Sequence, residues 1–79
     1  MLHVGFDNTV AIDRVIAILK PGSSPLRREI GWAKDNHKAI HVRRGDNLRS
    51  VIVLDTGHLV LSSVHPGELS ARYIEAKKG

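Results

Sequence analysis

The side chains in this sequence best suited to specific chemistry are its arginines. Arg14 stands at the head of an apolar run, Arg43 and Arg44 are adjacent with Arg49 close behind, and Arg27, Arg28 and Lys34 form a further group. Outside the C-terminal Lys77-Lys78, arginine outnumbers lysine. A guanidinium presents a planar fork of donors that matches phosphate bidentately, which an ammonium cannot do. Binding to duplex DNA rests largely on such phosphate contacts. Single-strand or RNA-loop binding would instead need aromatic platforms for base stacking. The chain holds only Phe6, Trp32 and Tyr73, and of these only Trp32 is expected to be exposed. A lone surface arginine is usually a solvated charge or half of a weak ion pair. Arginines grouped around one turn are less easily explained that way. Arg14, Arg43, Arg44 and Arg49 are therefore the candidate contacts to double-stranded DNA.

Other chemistry finds few carriers. Cysteine is absent, which removes thiol nucleophiles, disulfides and thiolate metal sites. No glycine-rich phosphate loop and no serine in a nucleophile-elbow context appears. His37 and His41 are four residues apart, but a helix end and a strand start are expected between them, so they should not share a helical face. His3, His58 and His65 are scattered, and no ligand spacing supports a metal. Glu29, Glu68 and Glu75 read as solvated helix positions, and Asp13, Asp46 and Asp55 as turn or strand-edge residues. The expectation is no enzyme, no metal, no cofactor and no small-molecule substrate.

The elements that must position the arginines can be read from pattern. Gly5-Phe6-Asp7-Asn8 is a turn between two short strands. Asp13 to Lys20 reads as a strand buried on both faces, stopped by Pro21-Gly22. Ser24 is a suitable N-cap and Pro25 a suitable first residue for a helix running to about Asn36 or His37. Leu26, Ile30 and Ala33 form its apolar stripe, with Arg28, Trp32 and Asp35 on the opposite side. Lys38 to Val42 is a strand, followed by a turn at Arg43-Arg44-Gly45-Asp46-Asn47. Leu48 to Leu54 is a second continuously apolar strand, with Ser50 as its polar interior position. Asp55-Thr56-Gly57 is a hairpin loop leading to a third strand, His58 to Val64. Pro66-Gly67 then breaks the strand, and Glu68 to Lys77 forms a C-terminal helix with a frayed end.

The expected fold class is α+β: a small, mostly antiparallel sheet with one well-formed central helix and a short C-terminal helix. One domain spans 1–79, with strands and central helix over 1–66 and the C-terminal helix and tail over 67–79. A chain of 79 residues with a net charge of +4 has a small core and favours anionic partners. Small folds usually need a staple, and without cysteine the remaining options are tight packing or self-association. Strands apolar on both faces need two covers, and one good helix supplies one. A second copy of the chain is the expected second cover, the alternative being a monomer capped by its own C-terminal segment. Trp32, on the polar face of the helix, is the candidate for a subunit interface. No apolar run approaches the roughly 18 residues of a membrane span, and no signal peptide is evident, so the cytoplasm is the expected compartment.

Several stretches taken together resemble the RemA-like proteins, bacterial regulators of extracellular-matrix genes. They are Gly5-Phe6-Asp7-Asn8 through Asp13-Arg14-Val15-Ile16-Ala17-Ile18, then Ser24-Pro25-Leu26-Arg27-Arg28, Arg49-Ser50-Val51-Ile52-Val53-Leu54-Asp55, His58-Leu59-Val60-Leu61-Ser62-Ser63-Val64, and Pro66. The resemblance runs from about His3 to Leu69. It implies a DNA-binding transcriptional regulator with a fold akin to the LytTR domain, assembled into a closed homo-oligomeric ring. It also implies a DNA-contacting arginine near the start, which Arg14 matches, and a Gly-Arg-Arg turn, which this chain does not have. Here Gly45 is followed by Asp46 and Asn47, and the double arginine precedes the glycine. Either Arg43 and Arg44 reach the same phosphates from the other side of the turn, which is the favoured expectation, or this chain binds DNA differently or weakly. An oligomeric protein-interaction scaffold without nucleic-acid binding is the alternative function.

Overall fold

The computed structural model describes residues 1–42 and 47–78. The chain begins with a hairpin of β1 (Leu2–Gly5) and β2 (Asn8–Val10), whose two-residue loop is Phe6-Asp7. Both loop residues take positive φ, 49° and 62°, as the turns that match strand twist require. Asn8 holds the loop by donating its side-chain amide to the carbonyls of Gly5 and Phe6. A four-stranded sheet follows in the spatial order β3-β5-β6-β4, formed by β3 (Val15–Leu19), β4 (Ala39–His41), β5 (Ser50–Leu54) and β6 (Leu59–Ser62). The β3–β5 and β5–β6 pairs are antiparallel, while β4 runs parallel to β6. Two helices, α1 (Ser24–Asp35) and α2 (Pro66–Lys78), complete an α+β fold.

The local signals act largely as expected, with shifts of one or two residues. The cap of α1 is Ser23 rather than Ser24: its Oγ accepts the Leu26 amide at 3.2 Å, which leaves Ser24 and Pro25 inside the first turn. The helix stops where Asn36 donates both its backbone and its side-chain amide to the Trp32 carbonyl and His37 turns to φ 57°. The β5–β6 loop has Gly57 at φ 89°, in the left-handed region. Pro66 and Gly67, expected to break the preceding strand, instead form the first turn of α2, a position where proline loses nothing because its missing N–H would be unpaired anyway.

Two larger expectations change. Asp13 and Arg14 do not belong to the first sheet strand; they lie in a 3₁₀ turn, Ile12–Arg14, and β3 starts at Val15. Nor is β3 buried on both faces. It is an edge strand, with Ile16 66% and Leu19 38% exposed. The strands that are covered on both sides are β5 and β6, and both covers come from the same chain. Leu26, Ile30 and Ala33 of α1 pack on Val51, Leu59 and Leu61. On the other face, Leu2 and Val4 of the hairpin and Leu69 of α2 pack on Ile52 and Val60. The central strands therefore do not need a second copy as cover. The C-terminal helix and the N-terminal hairpin together provide it, because removing their own apolar residues from water and covering the open face of the sheet are satisfied by the same contact.

Candidate nucleic-acid interface

Two of the candidate arginines, Arg14 and Arg49, lie at opposite ends of one strand pair. At one end, Arg14 closes the 3₁₀ turn through its amide to the Ala11 carbonyl, 3.1 Å. Its carbonyl accepts the Asp55 amide at 2.8 Å, and its Nη1 donates to Asp55 Oδ2 at 3.1 Å. Both side chains are solvent-accessible, so the ion pair contributes roughly 0.2–1 kcal/mol and leaves most of the guanidinium donors uncommitted.

At the other end lies Arg49, one residue before β5. Its amide donates to the Ser62 carbonyl at 2.9 Å, and its side chain is exposed. The register Val15↔Leu54 and Leu19↔Val51 sets the ends of β3 and β5 side by side. Arg49 and Asp55, the partner of Arg14, thus stand about 20 Å apart along β5 at ~3.4 Å per residue. That span is too long for one phosphate and shorter than one duplex turn of roughly 34 Å. Arg43 and Arg44 lie outside the described residues. The flanking Val42 amide donates to the Leu61 carbonyl at 3.1 Å, so the chain leaves β4 and returns at Arg49 beside the same end of β6.

Trp32 sits on the outer face of α1 and is 54% exposed. Arg28, one helical turn before Trp32, lies on the same face, and Arg27 is exposed as well. Arg72, which no sequence pattern singles out, is tied to the protein itself: it donates to the His3 carbonyl at 3.1 Å and pairs with Glu68 at 3.3 Å, one helical turn away. Sequence reasoning also misses two residues near Arg49. Lys20, just past β3, and His65, at the start of α2, line a small cavity together with Arg49. Only strand register could have joined residues so distant in sequence.

Among the described residues, no helix is long and apolar enough to cross a membrane.

A family model described as "Extracellular matrix regulatory protein A-like", RemA-like, matches residues 1–73. The chain belongs to the RemA-like family. Its relatives share it nearly end to end. A protein of Synechococcus sp. named "Putative regulatory protein" is 38% identical over all 79 residues, which cover 89% of that protein. Proteins of the same name from Dictyoglomus turgidum and Thermotoga petrophila are 40% and 43% identical, over 91% and 95% of this chain and 85% and 82% of theirs.

Proposed function

We propose that this RemA-like chain is a DNA-binding transcriptional regulator that acts as a ring-shaped homo-oligomer, with Arg14, Arg43, Arg44 and Arg49 contacting duplex phosphates. The observation that carries the proposal is that Arg14 and Arg49 are both exposed and bracket one open-edged strand pair. Two cations about 20 Å apart along a strand at ~3.4 Å per residue engage separate phosphates. A single protomer offers few such contacts; repetition around a ring multiplies them, so weak sites add through multivalency. A fold akin to the LytTR domain, a single domain over the chain and a cytoplasmic setting belong to the same proposal.

Self-association has its own support, although not the one expected from the strand pattern. The edge strand β3 pairs on one side alone, and an open edge invites pairing. Beside it, Ile16, Ile18, Tyr73 and Ile74, with Ser70 as the polar member, line a mostly apolar groove of about 300 Å³. Ile16 and Ile74 are 66% and 56% exposed there, and Trp32 is a further apolar surface on the far side of the sheet.

The test is binding to a random-sequence duplex across a salt series, with light scattering on the same samples. Affinity should fall steeply as salt rises. Arg14→Ala should weaken binding while leaving the assembly intact. A monomer that ignores duplex would overturn the proposal, and an intact oligomer that ignores duplex would favour a protein-interaction scaffold instead.

A further inference from the structure

The end of the β3–β5 pair away from Arg14 gathers positive charge that no acid among the described residues pairs with. Lys20, Pro21, Leu48, Arg49, His65 and Pro66 line an open cavity of about 210 Å³. None of these residues is acidic. The ion pairs among the described residues are Arg14–Asp55 and Arg72–Glu68, so neither Lys20 nor Arg49 is neutralised by a neighbour.

The grouping is built rather than incidental. Leu19 pairs with Val51, which brings Lys20 to the start of β5. The Arg49 amide is bonded to the Ser62 carbonyl, fixing the backbone of Arg49 against the end of β6. The segment from β6 to α2 is held down by two buried serines: Ser50 Oγ donates to the Val64 carbonyl, and Ser62 Oγ accepts the Val64 amide at 3.1 Å. His65 follows directly, and its carbonyl accepts the Leu69 amide as the first bond of α2. Three segments far apart in sequence are thus locked into one wall.

We propose that Lys20, Arg49 and His65 form one phosphate-holding cup, and that this cup takes up a backbone phosphate of duplex DNA. This rests on the duplex-binding function proposed above and adds Lys20 and His65 to it. The three side chains supply complementary donors: a planar fork from Arg49, a compact point charge from Lys20, and an imidazole N–H that is present in either protonation state of His65. The cavity is smaller than the roughly 300–1,000 Å³ typical of small-molecule sites, which suits a single anionic group rather than a whole ligand. Arg14, by contrast, already faces the carboxylate of Asp55.

The test uses the full chain and its variants Lys20→Gln, Arg49→Gln and His65→Gln, with Lys34→Gln on the exposed surface of α1 as the control. Binding to a random duplex is measured across a salt series. Lys20→Gln and Arg49→Gln should each lower the slope of log affinity against log salt by about one, with an affinity loss on the order of tenfold near 0.1 M salt. His65→Gln added to Lys20→Gln should weaken binding further, and Lys34→Gln should leave it unchanged. Duplex binding with wild-type slope in all three cup variants overturns the cup and leaves the duplex-binding function standing. If the wild-type chain does not bind duplex, that function fails, and the cup is decided by titrating inorganic phosphate while following amide resonances. Saturable shifts at Lys20, Arg49 and His65 that vanish in Arg49→Gln keep an anion site; their absence overturns it.

Discussion

Arg14 and Asp55, 41 residues apart in sequence, are joined twice, by the Asp55 amide on the Arg14 carbonyl at 2.8 Å and by Arg14 Nη1 on Asp55 Oδ2 at 3.1 Å. The backbone bond pins the 3₁₀ turn to the β5–β6 hairpin. The side-chain pair places a negative charge beside a cation proposed to meet DNA. Removing that charge while keeping the backbone bond separates the two effects. Asp55→Asn is expected to raise duplex affinity several-fold and to change stability by less than about 1 kcal/mol, because the pair is exposed. A salt-series titration and a thermal melt check both. Unchanged affinity in Asp55→Asn together with unchanged affinity in Arg14→Ala would remove Arg14 from the contact set.

Ile16 lies where the β3–β5 register slips between Val15 and Ala17, so it is an extra residue on an edge strand, and it is 66% exposed. Ile16→Asp should shift the assembly toward monomer in light scattering. Protomer stability should move by no more than about 0.5 kcal/mol, as for other surface substitutions. An oligomer of unchanged mass would show that the β3 edge is not the contact.

Ser62 is fully buried, and its Oγ donates to the Val4 carbonyl at 2.6 Å while accepting the Val64 amide at 3.1 Å. It ties the N-terminal hairpin to the sheet and the sheet to the approach to α2. Ser62→Ala leaves a carbonyl and an amide without that partner, for a cost of about 1–3 kcal/mol. Urea denaturation measures it. A loss well under this range would mean that water replaces the hydroxyl.

The two hairpin loops should respond to glycine in opposite directions. Gly57 stands at φ 89° with nothing within 4 Å of an added Cβ, so Gly57→Ala carries a backbone cost alone, roughly 1–2 kcal/mol. Asp7 occupies φ 62° without being glycine, so Asp7→Gly should stabilise by up to about 1 kcal/mol. Thermal melts of both variants give the signs directly.

Features that depend on near neighbours along the chain are legible in the sequence itself. The stripe Leu26, Ile30, Ala33 is the buried face of α1, and the Asp55-Thr56-Gly57 loop forms with its glycine in the left-handed region. Helix periodicity and turn chemistry are local, and so survive folding. The cap lies one residue earlier than expected because Ser23 and Ser24 are chemically equivalent candidates, and only the backbone path chooses between them. The family resemblance is equally legible, because it lies in the order of motifs along the chain.

What the amino-acid sequence determined by itself was the set of elements, their apolar content and the surplus of arginine. Which element covers which face was decided only by tertiary structure. The pattern of β5 and β6 demanded two covers but could not say that Leu2, Val4 and Leu69, from opposite ends of the chain, would supply the second. It could not show that β3 would stand at a sheet edge, nor that Arg14 would meet Asp55. Nor could it bring Lys20, Arg49 and His65 to one cavity. The physical reason is the same in each case. A periodic pattern records that a residue will be buried or charged, while its neighbours across the sheet are set by register and strand order, which depend on all the chain at once.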